Sequence, residues 1–204
     1  MVSMRPRPDW HWTHRRLDGR LLGDERSTRM TGIVVWHMTL SLDGYIAGPD
    51  DNLNWYAASS GPSEIGDEVA RAAGAFLTGG RLITEDFDFD RSRPYGGDWD
   101  GRTFIYTHKD PASAPHPDLT YLSGDIRDVA AAALAGAGGK NLIVSGGTVP
   151  GLCLDAGLVD EVVLHYVPAL LGDGIPVYRS PGLAYTQLEL LRTESLNLWF
   201  RVKK

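Results

Sequence analysis

The sequence has little of what marks secreted, membrane-spanning or nucleic-acid-binding proteins. Its single cysteine, Cys153, excludes an internal disulfide and is typical of a reduced, cytoplasmic protein. No apolar run approaches the roughly 20 residues that span a bilayer, so we expect no membrane partner. The formal net charge is -6, and no cluster of lysines and arginines lies over a folded segment. We therefore expect no nucleic-acid partner either.

Two common phosphate-binding motifs are also missing. Neither G-x-G-x-x-G nor G-x-x-x-x-G-K-[ST] occurs in the sequence. Because these motifs mark ordinary Rossmann domains and P-loop enzymes, their absence disfavours both classes. Any nucleotide site in this chain must be built in another way.

Residues 1–29 differ from the rest of the chain. They carry seven arginines, show no sustained periodicity and lack the apolar centre of a secretory signal. We expect them to form a disordered extension outside one folded domain at 30–204. His11 and His14 lie in this extension, but two ligands without a rigid frame do not make a metal site, and no metal is predicted.

Beyond Met30, strand patterns alternate with helix patterns. The helices are predicted at 62–74 and 125–139 and from near Pro150, and the final segment alternates apolar residues with a period of two. This period is typical of an antiparallel strand paired with the strand before it. The order predicts an α/β protein with a mostly parallel sheet and an antiparallel C-terminal edge hairpin. The other strands are predicted at 33–42, 75–80, 103–108, 120–123 and 141–145.

Paired glycines follow two of the predicted strands. Gly146 and Gly147 come directly after the strand at 141–145 and before a helix, where unpaired amides can hold a pyrophosphate. Alone, this pair would fit a simple turn equally well. Gly79 and Gly80 follow another strand and are joined by Arg81, whose planar guanidinium can clamp a phosphate. Two phosphate-sized sites suggest a dinucleotide.

A third strand end offers a hydroxyl and a cation. Thr107 and Lys109 there suit the additional 2′-phosphate that distinguishes NADP from NAD. The alternative is that Lys109 contacts only water, as most surface lysines do.

Three motifs in this order resemble the dihydrofolate-reductase-like superfamily. They are M-T-L-S-L-D-G-Y-I-A-G at 38–48, G-R at 80–81 and the long block at 143–178 that contains G-G, L-V-D-E and P-A-L-L-G-D-G. The chain is most similar to the branch with the reductase domain of the bifunctional riboflavin-biosynthesis deaminase-reductase. The resemblance covers essentially Met30 to the C-terminus. It implies a three-layer α/β/α fold, NADPH, hydride transfer to a small molecule and a homodimer.

The resemblance also implies a set of coenzyme-binding residues. The first strand and its following loop would embrace the nicotinamide ring, the G-R turn and the next strand end would meet the adenosine phosphate, and the later glycine turn would hold the pyrophosphate. In that order, the matching positions are Thr39, Ile46 and Ala47; Gly80, Arg81 and Thr107; and Gly146, Gly147, Thr148 and Val149.

Candidate catalytic carboxylates are Asp43, Glu64 and Asp86, because hydride addition to an imine or carbonyl needs a nearby proton source. Each has a structural alternative. Asp43 precedes Gly44 and suits a turn, Glu64 suits the first turn of a helix, and Asp86 lies in an acidic loop. The structural role is favoured for Asp43.

Two further side chains are candidates for substrate binding. Trp55 can stack on a planar heterocycle or cover the core. His37 stands where the riboflavin-pathway reductases usually carry a lysine, and Ser145 stands where they carry a glutamate. His37 equally suits the role of a core histidine.

The nearest named activity is reduction of 5-amino-6-(5-phosphoribosylamino)uracil, although the changes at His37 and Ser145 argue that this chain need not use that substrate. The alternatives are reduction of dihydrofolate or another pterin, favoured if Glu64 faces the cleft, and dinucleotide binding without turnover.

Overall fold

A computed structural model describes residues 32–58, 63–82, 89, 93–96, 99–108, 118–180 and 185–204. The predicted extension at 1–29 lies outside the described residues, and so do Asp86 and Lys109. No helix in these described ranges combines the length and the apolar character that crossing a membrane requires.

The fold is built on a mixed sheet of eight strands. Its spatial order is β5-β4-β3-β6-β1-β7-β10-β9, and β2 pairs separately with β8. The six strands from β5 to β7 are parallel, whereas β10 runs antiparallel to both of its neighbours. The strands are β1 Val34–Ser41, β2 Tyr45–Ala47, β3 Ala73–Gly79, β4 Arg102–Tyr106, β5 Leu119–Leu122, β6 Asn141–Val144, β7 Glu161–Val167, β8 Ile175–Pro176, β9 Leu188–Glu194 and β10 Asn197–Val202.

Within the described ranges, three α-helices cover the two faces of this sheet: α1 Glu64–Ala72, α2 Ile126–Gly136 and α3 Thr148–Asp155. Side-chain caps fix where the first two begin, because such a cap satisfies an amide that the helix leaves unpaired. Ser63 accepts a hydrogen bond from the Gly66 amide, and Asp125 accepts one from the Arg127 amide.

Alternation along the central strand β1 divides the core into two layers. Val34 and Trp36 belong to the cluster that includes residues of α2 and α3. Val35 points to the other face and packs in a cluster with Ile65 and Val69 of α1. Helices therefore cover both faces, and the predicted three-layer α/β/α architecture with its antiparallel edge hairpin is confirmed.

Several predicted boundaries differ from the observed ones. The helix after the paired glycines begins at Thr148, two residues before the predicted start near Pro150. Strand β3 begins at Ala73, directly after α1, because Ala73 already has extended backbone angles. In β10 the deeply buried side chain is Trp199, at 6% exposure, and Leu196, which precedes the strand, is 41% exposed. Trp199 packs in the cluster of α1, whereas Phe200 and Val202 pack against the cluster of α2 and α3, so both faces of β10 contact the core.

The carboxyl ends of the six parallel strands lie along one edge of the sheet. The β3 and β6 ends are direct neighbours, since Leu77 is in register with Val144. Strand β1 lies on the other side of β6 and pairs next with β7. The predicted site loops leave the sheet along this edge, which is where ligands bind in open α/β sheets.

Candidate active site

The turn after β6 exposes main-chain amides at the start of α3. Gly146 has φ = +92°, a left-handed conformation that favours glycine. Gly147 is the N-cap residue of α3, and no side-chain hydrogen bond caps the helix there. A β-carbon on Gly147 would lie 3.3 Å from both Ile46 Cδ1 and the carbonyl oxygen of Pro176. The Gly146 amide donates to Met38 Sδ at 3.3 Å, whereas no side chain caps the amides at the start of α3, which is the arrangement that an anion site requires.

The turn after β3 lies beside it. A β-carbon on Gly80 would lie 3.3 Å from both Ile105 Cγ2 and Thr107 Cβ, so the G-R turn packs closely against the end of β4. The Arg81 side chain is 71% exposed, and its guanidinium lies 3.2 Å from an Asp51 carboxylate oxygen. Because exposed ion pairs contribute little, a phosphate could replace Asp51 as the partner of Arg81 at small cost.

The predicted coenzyme residues thus converge on one edge of the sheet. Ile46 and Ala47 are buried on β2, and Val149 is buried in the first turn of α3. A β-carbon on Gly79 would lie 3.8 Å from Val149 Cγ2, which places the two glycine turns in contact range. Thr148 is exposed at the start of α3. The predicted coenzyme positions that the structure describes therefore lie at the same edge of the sheet, and Lys109 falls outside the described residues.

A cleft opens next to this edge on the α1 side of the sheet. Its main cavity has a volume of about 600 Å³, a size typical of small-molecule sites. A smaller cavity of about 190 Å³ shares four lining residues with the first: His37, Thr39, Tyr56 and Tyr95. Ser145, directly before Gly146, lines the smaller cavity. The cleft therefore reaches from the β7 end to the glycine turn.

Four side chains in the cleft form a continuous hydrogen-bonded row, which we call the histidine chain. Tyr95 Oη lies 2.9 Å from His37 Nδ1, and His37 Nε2 lies 2.6 Å from His165 Nε2. The second ring nitrogen of His165, Nδ1, lies 2.7 Å from Asn197 Oδ1. Burial, reinforced by the neighbouring His165, lowers the pKa of His37 to about 3, so His37 is uncharged at neutral pH.

Tyr95 is held in place by aromatic packing despite an unfavourable backbone. Its φ is +60°, which is uncommon for a bulky residue and costs about 1–3 kcal/mol. Its ring lies 5.7 Å from that of His37 in a stacked arrangement and meets Phe76 and Trp99 edge-on. Burial also raises the pKa of the Tyr95 hydroxyl, so this group keeps its proton.

The structure gives Asp43 an organising position. One carboxylate oxygen accepts from the Ser41 hydroxyl at 2.6 Å, and the carboxylate also accepts from the amides of Leu171 and Gly172. These bonds, that of Ser41 first, lower the pKa of Asp43. Asp43 does not line either cavity and ties the S-L-D-G turn to the loop after β7.

The other predicted substrate-side residues are not all brought into the cleft. The Glu64 side chain is 82% exposed, pairs with Arg192 at 2.9 Å and lines neither cavity. Asp67, three residues later on α1, does line the main cavity. Trp55 packs against Tyr56 with ring centroids 4.6 Å apart, and it lines neither cavity, whereas Tyr56 lines both. Asp86 lies outside the described residues.

Glu194 supplies a second carboxylate to the cleft and caps α1 from the β9–β10 turn. Its oxygens accept hydrogen bonds from the amides of Glu64 and Ile65 at 3.0 and 2.9 Å. The bond from Ile65, followed by that from Glu64, lowers the pKa of Glu194. Negative charge is favourable at a helix N-terminus, so Glu194 couples the edge hairpin to α1.

Replacing this cap is expected to change how stability depends on pH. A carboxylate whose pKa is lowered in the folded state stabilises the protein above its unfolded value, here 4.5, and loses that contribution as pH falls through the folded value. We expect Glu194→Gln to be less stable at neutral pH and to lose less stability on acidification. Urea unfolding at a series of pH values measures this. Glu189→Gln, on the same strand in a surface pair at 3.7 Å, is the matched control and should show the wild-type pH slope. Parallel curves for wild type and Glu194→Gln would contradict the account.

The sequence did not predict most of the cleft. The predicted site residues did not include six that line the cleft: Tyr56, Asp67, Tyr95, His165, Glu194 and Asn197. One signal was available for His165: it is a titratable residue that follows the apolar run Val162–Leu164, two positions from Val163 on the same face. In the described ranges there is no group of three or more His, Cys, Asp and Glu side chains arranged to bind a metal. Cys153 is buried in the core, where burial raises the pKa of its thiol to about 12.

The sheet order, the layers and the glycine turns together define a dihydrofolate-reductase-like α/β protein. Residues 96–197 match the RibD C-terminal domain, and the chain belongs to this family. The family consists of reductase domains, so the chain is an oxidoreductase by family. A search of curated proteins found no match.

Solved structures share this fold at low sequence identity. A protein assigned to riboflavin biosynthesis from Shewanella sp. PV-4 has a TM-score of 0.64 and 20% identity, over 85% of this chain and 99% of that one. A second structure is the diaminohydroxyphosphoribosylaminopyrimidine deaminase/5-amino-6-(5-phosphoribosylamino)uracil reductase of Thermotoga maritima. Its TM-score is 0.57 and its sequence identity is 17%, over 86% of this chain but only 58% of that one. A pyrimidine reductase-like protein from Corynebacterium diphtheriae has a TM-score of 0.55 and 12% identity, over 85% of this chain and 92% of that one.

Proposed function

We propose that this protein is an NADPH-dependent reductase that transfers a hydride to a pyrimidine- or pterin-type heterocycle. The nearest named activity is that of the Thermotoga relative, 5-amino-6-(5-phosphoribosylamino)uracil reductase. The observation that carries the proposal is the contact between two features: the glycine turn of Gly146 and Gly147, and a cleft whose smaller cavity ends at Ser145.

The residues at the sheet edge fit a dinucleotide. Gly147 leaves the α3 amides open to a pyrophosphate, and Arg81 is the exposed cation for the adenosine phosphate. Thr39 lines the cleft, and the buried residues Ile46 and Ala47 of β2 support the position that we assign to the nicotinamide ring. When bound, NADPH supplies a hydride and leaves as NADP⁺.

The protein itself must orient the molecule that accepts the hydride, and it must supply a proton or position a water that does. Hydride addition to a carbon–nitrogen double bond places two electrons on nitrogen, which then takes one proton from the protein or from water. In the described cleft, Asp67 is the carboxylate on the α1 wall that can hold a proton-bearing water. The chain's own task is therefore to hold the acceptor ring between Asp67 and the glycine edge.

A pterin remains the second candidate substrate. That alternative depended on Glu64 facing the cleft, which the structure does not show, since Glu64 is exposed and paired with Arg192. Asp67 supplies a carboxylate on the same helix instead. The homodimer and the cytoplasmic location implied by the sequence belong to this proposal as well.

Oxidation of NADPH, followed at 340 nm with a panel of substrates, tests the function. We expect acceleration by a ribosylamino-pyrimidine, with or without phosphate, or by a dihydropterin. Binding of NADPH without acceleration by any member would instead favour a non-catalytic dinucleotide-binding protein.

A further inference from the structure

With both imidazole rings neutral, the histidine chain has one consistent assignment of protons. Because Asn197 Oδ1 can only accept, His165 donates from Nδ1, and its Nε2 is then an acceptor. His37 must donate from Nε2 to reach it, which leaves His37 Nδ1 as an acceptor. Tyr95 therefore donates its hydroxyl proton to His37.

This assignment determines what Tyr95 can offer to a ligand. Its only proton is used inside the histidine chain, yet Tyr95 lines both cavities. The phenolic oxygen is therefore restricted to accepting hydrogen bonds from the cleft. The chain ends at Asn197 Oδ1, which accepts, so each donor in the chain points from Tyr95 toward Asn197.

The charges around the cleft also favour a ligand that donates hydrogen bonds. Asp67 and Glu194 line the main cavity, and no lysine or arginine is among the described lining residues. The nearby cation Arg192 is already paired with Glu64 and Glu68, at 2.9 and 3.0 Å. His37, which stands where the riboflavin-pathway reductases usually carry a lysine, is uncharged at neutral pH because burial lowers its pKa. Among the described lining residues, a substrate phosphate would thus meet carboxylates rather than a lysine or arginine.

We propose that the cleft selects an unphosphorylated substrate rich in N–H or O–H donors, with Tyr95 as a specificity-determining contact whose polarity the histidine chain fixes. This rests on the proposed function and refines its substrate class: the ribosylamino form of the pyrimidine, or a pterin, in place of the phosphoribosylamino form. Lone pairs on Tyr95, Asp67 and Glu194 then face the ring N–H and exocyclic amino groups of the heterocycle.

Two measurements on the full-length protein test this proposal. In long-range ¹H–¹⁵N spectra of the histidine rings, we expect His165 to be protonated at Nδ1 and His37 at Nε2. In the reverse pattern His37 would donate to Tyr95, and the Tyr95 hydroxyl would be able to donate its proton to a ligand in the cleft. That result would overturn the proposal. In steady-state kinetics with NADPH, we expect kcat/KM for the dephosphorylated ribosylamino-pyrimidine or a dihydropterin to exceed that for the phosphorylated pyrimidine by at least tenfold.

Variants separate this inference from the proposed function. Tyr95→Phe is expected to lower kcat/KM for the preferred substrate about tenfold, with the affinity for NADPH and the histidine protonation pattern unchanged. Tyr185→Phe, the same change at an 89% exposed position, is the control and should match the wild type. If the phosphorylated pyrimidine is the better substrate, the inference fails and the reductase function stands. If no substrate oxidises NADPH, the reductase function itself fails.

Discussion

Gly147→Ala is expected to weaken NADPH binding by ten- to a hundredfold while leaving the fold intact. Gly147 has φ = -96° and ψ = -47°, so alanine fits the backbone without strain. The added β-carbon would lie 3.3 Å from the Pro176 carbonyl oxygen and from Ile46 Cδ1, so the turn and β2 must shift by a few tenths of an ångström, and we expect this shift to disturb the amides at the start of α3. A loss of this size corresponds to about 1.4–2.7 kcal/mol of binding free energy. Fluorescence titration with NADPH measures the loss.

Gly151→Ala is the matched control for this substitution. It lies on the same helix, and its β-carbon would make ordinary contacts with Tyr178, at 3.8 Å. We expect NADPH affinity within twofold of the wild type and a melting temperature that is unchanged or higher, because alanine favours helix over glycine. Equal affinities for Gly147→Ala and Gly151→Ala would show that the coenzyme does not approach the α3 amides.

Gly174→Ala is expected to destabilise the protein by about 3 kcal/mol and to remove coenzyme binding with it. Gly174 has φ = +138°, where alanine is strained. A β-carbon there would also overlap the carbonyl oxygen of Ala47 and lie 2.9 Å from Gly48 Cα. Both neighbours are main chain, so β2 would have to move, and β2 supports the position that we assign to the nicotinamide ring. Chemical unfolding and NADPH titration report the two effects.

Gly172→Ala separates the effect of a left-handed backbone from the effect of steric overlap by the added β-carbon. Gly172 lies in the same loop at φ = +74°, and a β-carbon there would meet nothing within 4 Å. We expect a loss of about 1 kcal/mol, the cost of a left-handed alanine, with NADPH affinity retained. If both variants lose the same stability and both bind NADPH, the close packing of Gly174 on Ala47 does not position the coenzyme.

The sequence allowed the sheet edge to be predicted because local signals determine it. Paired glycines after apolar strands, and caps such as Asp125 before helices, are short-range features with direct physical causes. Parallel strands then bring Gly80 and Gly147 to the same edge without further information. The edge positions therefore followed from pattern and resemblance together.

The cleft could not be predicted in the same way, because its residues meet only through long-range pairing. His37 and His165 are 128 positions apart, and their contact depends on the register of β1 with β7. Tyr95 reaches His37 from an irregular segment with a left-handed backbone, which no periodicity reveals. Glu64 was the plausible carboxylate from its position on α1, but the rotation of the helix directs Asp67 to the cleft instead.

We propose that the glycine turn at Gly146 and Gly147 and the guanidinium of Arg81 bind the phosphates of one redox coenzyme. Parallel titration of the wild-type protein with NADPH and with NADH, followed by fluorescence or calorimetry, tests this most directly. We expect saturable binding of both nucleotides, with NADPH at least tenfold tighter because only NADPH carries the 2′-phosphate. Failure of either nucleotide to bind at millimolar concentration, or tighter binding of NADH, would contradict it.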